Sequence, residues 1–188
     1  MLMRIIKSLA LGLSIFSTAV LAENQELQIN LKSFEVIHPQ EKRGDELYIS
    51  ITEFSKNNLP RNYKVPPFPS HWLSRYLNSF KEMTLWRKSF EQCEPLDLLI
   101  TLVEEDAEPW DPDDSLGSVK LQISCTNGKL EEKWIIPNSE KVSEIAKKKN
   151  AFHFKGSNAQ YDMQFSLDNV AVKPLDKIKP KEAIPQKQ

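Results

Sequence analysis

The sequence predicts an all-β fold, an antiparallel β-sandwich of about eight strands with short helical insertions. Three observations carry this. Apolar residues recur at every second position in Leu27–Ile29–Leu31, Leu47–Ile49–Ile51, Leu96–Leu98–Ile100–Leu102, Val119–Leu121–Ile123 and Tyr161–Met163–Phe165–Leu167. These runs are rich in Ile, Val, Leu and aromatics and are separated by Pro, Asn, Asp and Gly. Asn127-Gly128, between Ile123 and Trp134, is a strong hairpin signal. Strands with one apolar face need a second sheet to cover it, so a two-layer sandwich follows.

The chain has 188 residues, of which 40% are hydrophobic and 27% charged. That is enough apolar material for one domain plus tails, and too much for a disordered chain. A formal charge of −1 lacks the basic footprint of a general nucleic-acid binder. With only 5 glycines, the chain has no phosphate-cradling loop or dinucleotide fingerprint.

In chain order, residues 1–22 read as a signal peptide. Arg4 and Lys7 precede the apolar run Leu9 to Phe16, and Val20-Leu21-Ala22 supplies the small residues a signal peptidase reads. The run is short for a membrane span, and no Cys follows it for a lipid anchor. Losing Arg4 and Lys7 takes the formal charge from −1 to −3. The mature protein is expected to be exported, to the periplasm or beyond.

The domain itself is assigned to residues 23–172. Besides the five marked runs, a strand is expected near Met83, with weaker ones near 60–66 and 130–136. Residues 66–82 begin with a stiff proline-rich segment and turn into a short helix. Residues 139–149 are expected to form another, with Ser139 as cap and Lys147, Lys148 and Lys149 at its negative end. From Lys173 to Gln188 the chain is rich in Lys and Pro without periodicity, an extended tail.

Export puts Cys93 and Cys125 in a setting where a disulfide can persist. Closing that 32-residue separation would contribute roughly 3–4 kcal/mol in the chain-entropy picture. A structural disulfide and two buried thiols are both open at this point. The three histidines, His38, His71 and His153, show no metal-ligand spacing, and no serine sits in a nucleophile-elbow motif.

The informative segment runs from Glu104 to Asp114, where seven of eleven residues are carboxylates. Two such charges about 5 Å apart repel by about 0.8 kcal/mol in water and about 3 kcal/mol at an effective dielectric of roughly 20. Pro109 and Pro112 limit how far the loop can splay to relieve this. A divalent cation would turn the repulsion into coordination. Hard oxygen donors without neighbouring His or Cys favour Ca²⁺ over zinc or copper, and extracellular sites often work at about 10⁻⁴–10⁻³ M.

The acid spacing resembles that of the C2 domain family, calcium- and phospholipid-binding β-sandwiches. Asp106-Ala107-Glu108, then Asp114, then Leu116-Gly117 are similar to that family's acid-x-acid pair, later acid and glycine. Gly44-Asp45-Glu46-Leu47-Tyr48 looks like a worn form of its first calcium loop. A single clear strand before this segment implies the circularly permuted, type II strand order. The likeness spans roughly residues 26–168, with its specific motifs confined to two short segments. Glu108 stands where the family has Asp, and Pro39 stands where an earlier loop acid is usual, with Glu41 the nearest substitute.

The resemblance implies that the calcium loops gather at one end of the sandwich. Asp45, Asp106, Glu108 and Asp114 would be ligands, with Glu41 and Asp111 or Asp113 as extras. Trp110, at the tip of the acidic loop, would enter a lipid interface once a cation had cancelled the surrounding charge, joined by Phe68 and Trp72. Packing of Trp110 on its neighbouring prolines, and burial of Phe68 and Trp72, are the plainer alternatives. The expected function is a non-catalytic, monomeric binding module with Ca²⁺ as cofactor and an anionic membrane surface or a protein as partner. A calcium-independent adhesive sandwich is the first alternative, and a small hydrolase the second.

Overall fold

The structure is a computed structural model describing residues 25–56, 58–106, 112–126, 129–156 and 158–171. The leader 1–22, the tail 173–188, Asn127-Gly128, and the candidate site residues Glu108, Trp110 and Asp111 lie outside the described residues.

Two antiparallel sheets face each other. The first joins β5 (Met83–Phe90), β1 (Gln25–His38), β11 (Gln160–Ala171), β10 (Ala151–Lys155) and β9 (Val142–Glu144), in that order. The second joins β3 (Arg61–Val65), β2 (Glu46–Ser55), β6 (Leu96–Glu104), β7 (Asp114–Thr126) and β8 (Lys129–Ile135). The short β4 (Trp72–Leu73) adds to the start of β2.

The period-two pattern explains the core. Leu47, Ile49, Ile51, Leu98, Ile100, Leu102, Val119 and Leu121 from the second sheet are fully buried against Ile29, Leu31, Phe154 and Tyr161 from the first. Trp134 stacks on Phe165 with ring centroids 5.6 Å apart. Cys93 and Cys125 form a disulfide with Cα atoms 5.9 Å apart.

Eleven strands appear among the described residues where about eight were expected. β4 and β9 have two and three residues, too short for a period to register. The five-residue β10, Ala-Phe-His-Phe-Lys, follows directly on the lysine run. Among the described residues, helical structure is limited to a 3₁₀ turn, Ser74–Ser79, inside the expected 66–82 segment. The helix expected at 139–149 does not form. Val142 is drawn into the core and pairs with Phe154, making a strand, and Lys147 takes a positive φ of 67°. Tertiary burial here overrides a local helical preference.

Strand directions define two poles. Leu96 pairs with Ile123 at one end of β6, near the disulfide, and Glu104 pairs with Asp114 at the other. The start of β2 lies at this second pole, because Leu47 also pairs with Glu104. The connection leaving β3 heads the same way, since Val65 pairs with Ile49.

Candidate functional site

The acidic pole is built from the start of β2, the end of β6 and the start of β7. Asp45 continues the inward parity of Leu47, Ile49 and Ile51 and is fully buried. Its carboxylate accepts hydrogen bonds from the backbone N–H groups of Gln40 (2.8 Å) and Glu41 (2.7 Å). The Tyr161 hydroxyl, reaching across from β11, donates to the same carboxylate. The Asp45 backbone is held too: its N–H donates to Ser74 Oγ (2.8 Å) and its carbonyl accepts from Ser74 N–H (2.9 Å). Gly44 makes the turn at φ 94°, with its N–H on the Glu41 carbonyl. Burial, and then the hydrogen bond to Asp45, push the Tyr161 hydroxyl far above its ordinary range, so it remains a donor.

Glu104 lies outside the ligand set that the resemblance implies. It follows Leu96, Leu98, Ile100 and Leu102 on the core-facing side of β6 and is only 3% exposed. Its Oε2 has no hydrogen-bond partner. Burial, followed by the negative charges of Asp45, Asp106, Glu41 and Asp114, pushes its carboxyl up to about 7 from the usual 4.5. Four of the expected acids, Asp45, Asp106, Glu41 and Asp114, thus act electrostatically on this one buried carboxyl. The available signal was parity, since Glu104 occupies the next inward position after Leu102.

A bulge sets the position of Asp114. The β6–β7 register shifts between Leu102↔Gly117 and Val103↔Ser115, leaving Leu116 as the extra residue. One extra residue reverses the alternation beyond it, which puts Asp114 on the same face as its partner Glu104. Gly117 sits at this bulge with φ 143°, and an added Cβ would come within 2.5 Å of Val142 Cγ2.

The other candidates are spread over the rim. Asp113 accepts from the Tyr48 hydroxyl (2.7 Å) and from the Asp106 N–H (3.1 Å). Glu105 pairs with Lys64 at 2.7 Å, and His71 lies 3.3 Å from its other oxygen and 3.6 Å from Glu46. Lys141 Nζ donates to the Ser115 carbonyl at 2.6 Å. Phe68 is 79% exposed, with the Lys64 ammonium 5.5 Å from its ring. Trp72, by contrast, is partly buried and packs on the core, paired with Leu47. Among the described residues, no three His, Cys, Asp or Glu side chains stand close enough to share an ion.

A second polar constellation crosses the outer face of the first sheet. His153 pairs with Ser143 on one side and Asp162 on the other, with His153 Nδ1 2.7 Å from Asp162 Oδ1. The residue types are those of a serine nucleophile with its base and orienting acid. Ser143 is exposed at the end strand β9 and makes no hydrogen bond to the imidazole.

No protein-family model matches the chain. No curated protein matches it either. Among the described residues, no helix is long and apolar enough to cross a membrane.

Proposed function

We propose that this chain is an exported, non-catalytic binding module, similar to a C2 domain, whose acidic pole takes up Ca²⁺ and thereby docks on an anionic membrane surface or a protein partner. The observation that carries the reading is the buried, unpartnered Oε2 of Glu104 in the field of Glu41 and Asp45 before β2, Asp106 after β6 and Asp114 at the start of β7. An orphaned oxygen in a field of like charge is relieved by the proton that the raised carboxyl retains or by a cation that displaces it. Ca²⁺ supplies charge neutralisation there. The chain's own residues supply oxygen donors and the aromatic rim, where Phe68 is largely exposed. Export rests on the leader-like residues 1–22, and the Cys93–Cys125 disulfide suits an oxidising compartment.

A second reading, a calcium-independent protein-binding sandwich, is favoured by the cations already present. Lys64 and Lys141 offset part of the charge at this pole. Two measurements separate the readings. Millimolar Ca²⁺ added to the chelated protein raises its thermal midpoint and sediments it with phosphatidylserine vesicles. A midpoint that stays put, with sedimentation indifferent to chelator, rejects the first reading.

A further inference from the structure

Three carboxylates are buried among the described residues, and they are treated differently. Glu53, 4% exposed, accepts from Trp86 Nε1 (3.2 Å), Tyr63 Oη (3.3 Å) and Lys88 Nζ (2.5 Å). Asp45 accepts two backbone N–H groups and the Tyr161 hydroxyl. Each is the satisfied kind of buried charge, with its lone pairs filled by donors. Glu104 is not. No Lys, Arg or His among the described residues lies within ion-pair distance of it, and its Oε2 meets no donor.

The neighbours of Glu104 are equally unhelpful to a lone anion. Leu47 flanks it on β2, and Asp114, held on the same face by the Leu116 bulge, flanks it on β7. Directly paired residues in an antiparallel ladder bring their Cβ atoms to about 4.5–5.5 Å, within reach of one bridging cation. Asp45, the acid of the worn first-loop motif, has both oxygens already taken.

We propose that Glu104, together with its cross-strand partner Asp114, is the inner protein ligand for Ca²⁺, and that Asp45 is the clasp holding the first loop rather than a ligand. This deepens the calcium reading above and rests on it. Glu104 and Asp114 would hold the ion at the acidic pole, and water would complete the six to eight oxygens that Ca²⁺ takes. Ion binding is thereby tied to the β6–β7 register, because only the bulged register sets Asp114 beside Glu104.

The test uses the full mature chain with Ca²⁺ alone as probe, comparing wild type with Glu104→Gln and Glu105→Gln by calorimetric titration. Glu105 serves as the control because, although its Oε2 also meets no hydrogen-bond donor, its Oε1 is paired with Lys64 and His71 Nδ1 lies 3.3 Å from Oε2. The expected result is at least a tenfold weaker Ca²⁺ affinity in Glu104→Gln and an affinity within twofold of wild type in Glu105→Gln. In wild type, the Glu104 side-chain carboxyl carbon shifts in a ¹³C spectrum on Ca²⁺ addition, which holds the inference to account even if a variant fails to fold. Wild-type binding with an unmoved Glu104 resonance, or an undiminished affinity in Glu104→Gln, overturns the ligand assignment and leaves the calcium reading standing. Absence of any Ca²⁺ binding by the wild-type chain overturns both.

Discussion

The Tyr161 hydroxyl, carried by β11 of the first sheet, donates to the carboxylate of Asp45, the residue that leads into β2 of the second. Both residues are fully buried, so this bond ties the two layers together at the acidic pole. The same carboxylate organises residues 40 and 41 through their N–H groups, so one side chain fixes a loop and a sheet-to-sheet contact together.

Replacing Asp45 is therefore expected to affect stability first. Asp45→Asn leaves buried donors facing an amide that cannot accept from all of them, at a cost of about 2–4 kcal/mol. Tyr161→Phe removes one of three donors and costs about 1–2 kcal/mol. The two substitutions share a partner, so urea denaturation of the double variant should show less than the sum of the single losses. Strict additivity would mean that the clasp is not an energetic unit.

Stability in chelator should fall as the pH rises through the Glu104 window. The folded-state carboxyl holds its proton up to about 7, against 4.5 for the ordinary group, so between those values the folded state binds more protons than the unfolded one. Stability from this group is complete below about 4.5, declines above it, and levels off once pH exceeds the folded-state value. The full loss corresponds to about 3 kcal/mol. Glu104→Gln should remove this slope and exceed wild type in stability at pH 8. Parallel stability–pH curves for the two proteins would contradict the assignment.

Gly117→Ala tests the bulge. The new methyl meets Val142 Cγ2 at 2.5 Å and the residue must hold a φ of 143°, so a loss of about 1–3 kcal/mol is expected. Because the bulge orients Asp114, Ca²⁺ affinity should weaken alongside the thermal midpoint. A variant with wild-type stability would show that β7 adopts another register.

Reduction of Cys93–Cys125, or its replacement by serines, should lower unfolding free energy by roughly 3–4 kcal/mol through the loop it closes. The bond lies at the pole opposite Glu104, near the Leu96↔Ile123 pair. Sites this far apart with no shared partners behave independently, so Ca²⁺ affinity should be unchanged. A parallel fall in affinity would reveal coupling along β6 and β7.

The two-sheet architecture was legible because alternation is a local property. Leu47, Ile49 and Ile51, or Leu98, Ile100 and Leu102, declare their buried face without knowledge of a partner, and all six are fully buried. The concentration of carboxylates at 104–114 was equally plain in the chain. Three features were decided only by long-range pairing. Val142 became a strand residue because Phe154 and the core offered it a place, whereas its local sequence suited a helix. Asp114 gained its orientation from a one-residue bulge, and a change of one residue reverses every side chain beyond it. The fates of Asp45 and Glu104 diverged because donors from residues 40, 41 and 161 converge on the first and none reach the second. Composition along a chain specifies which groups are charged. Whether a buried charge is satisfied depends on which distant donors the fold brings within hydrogen-bond length, and that is a property of the tertiary structure alone.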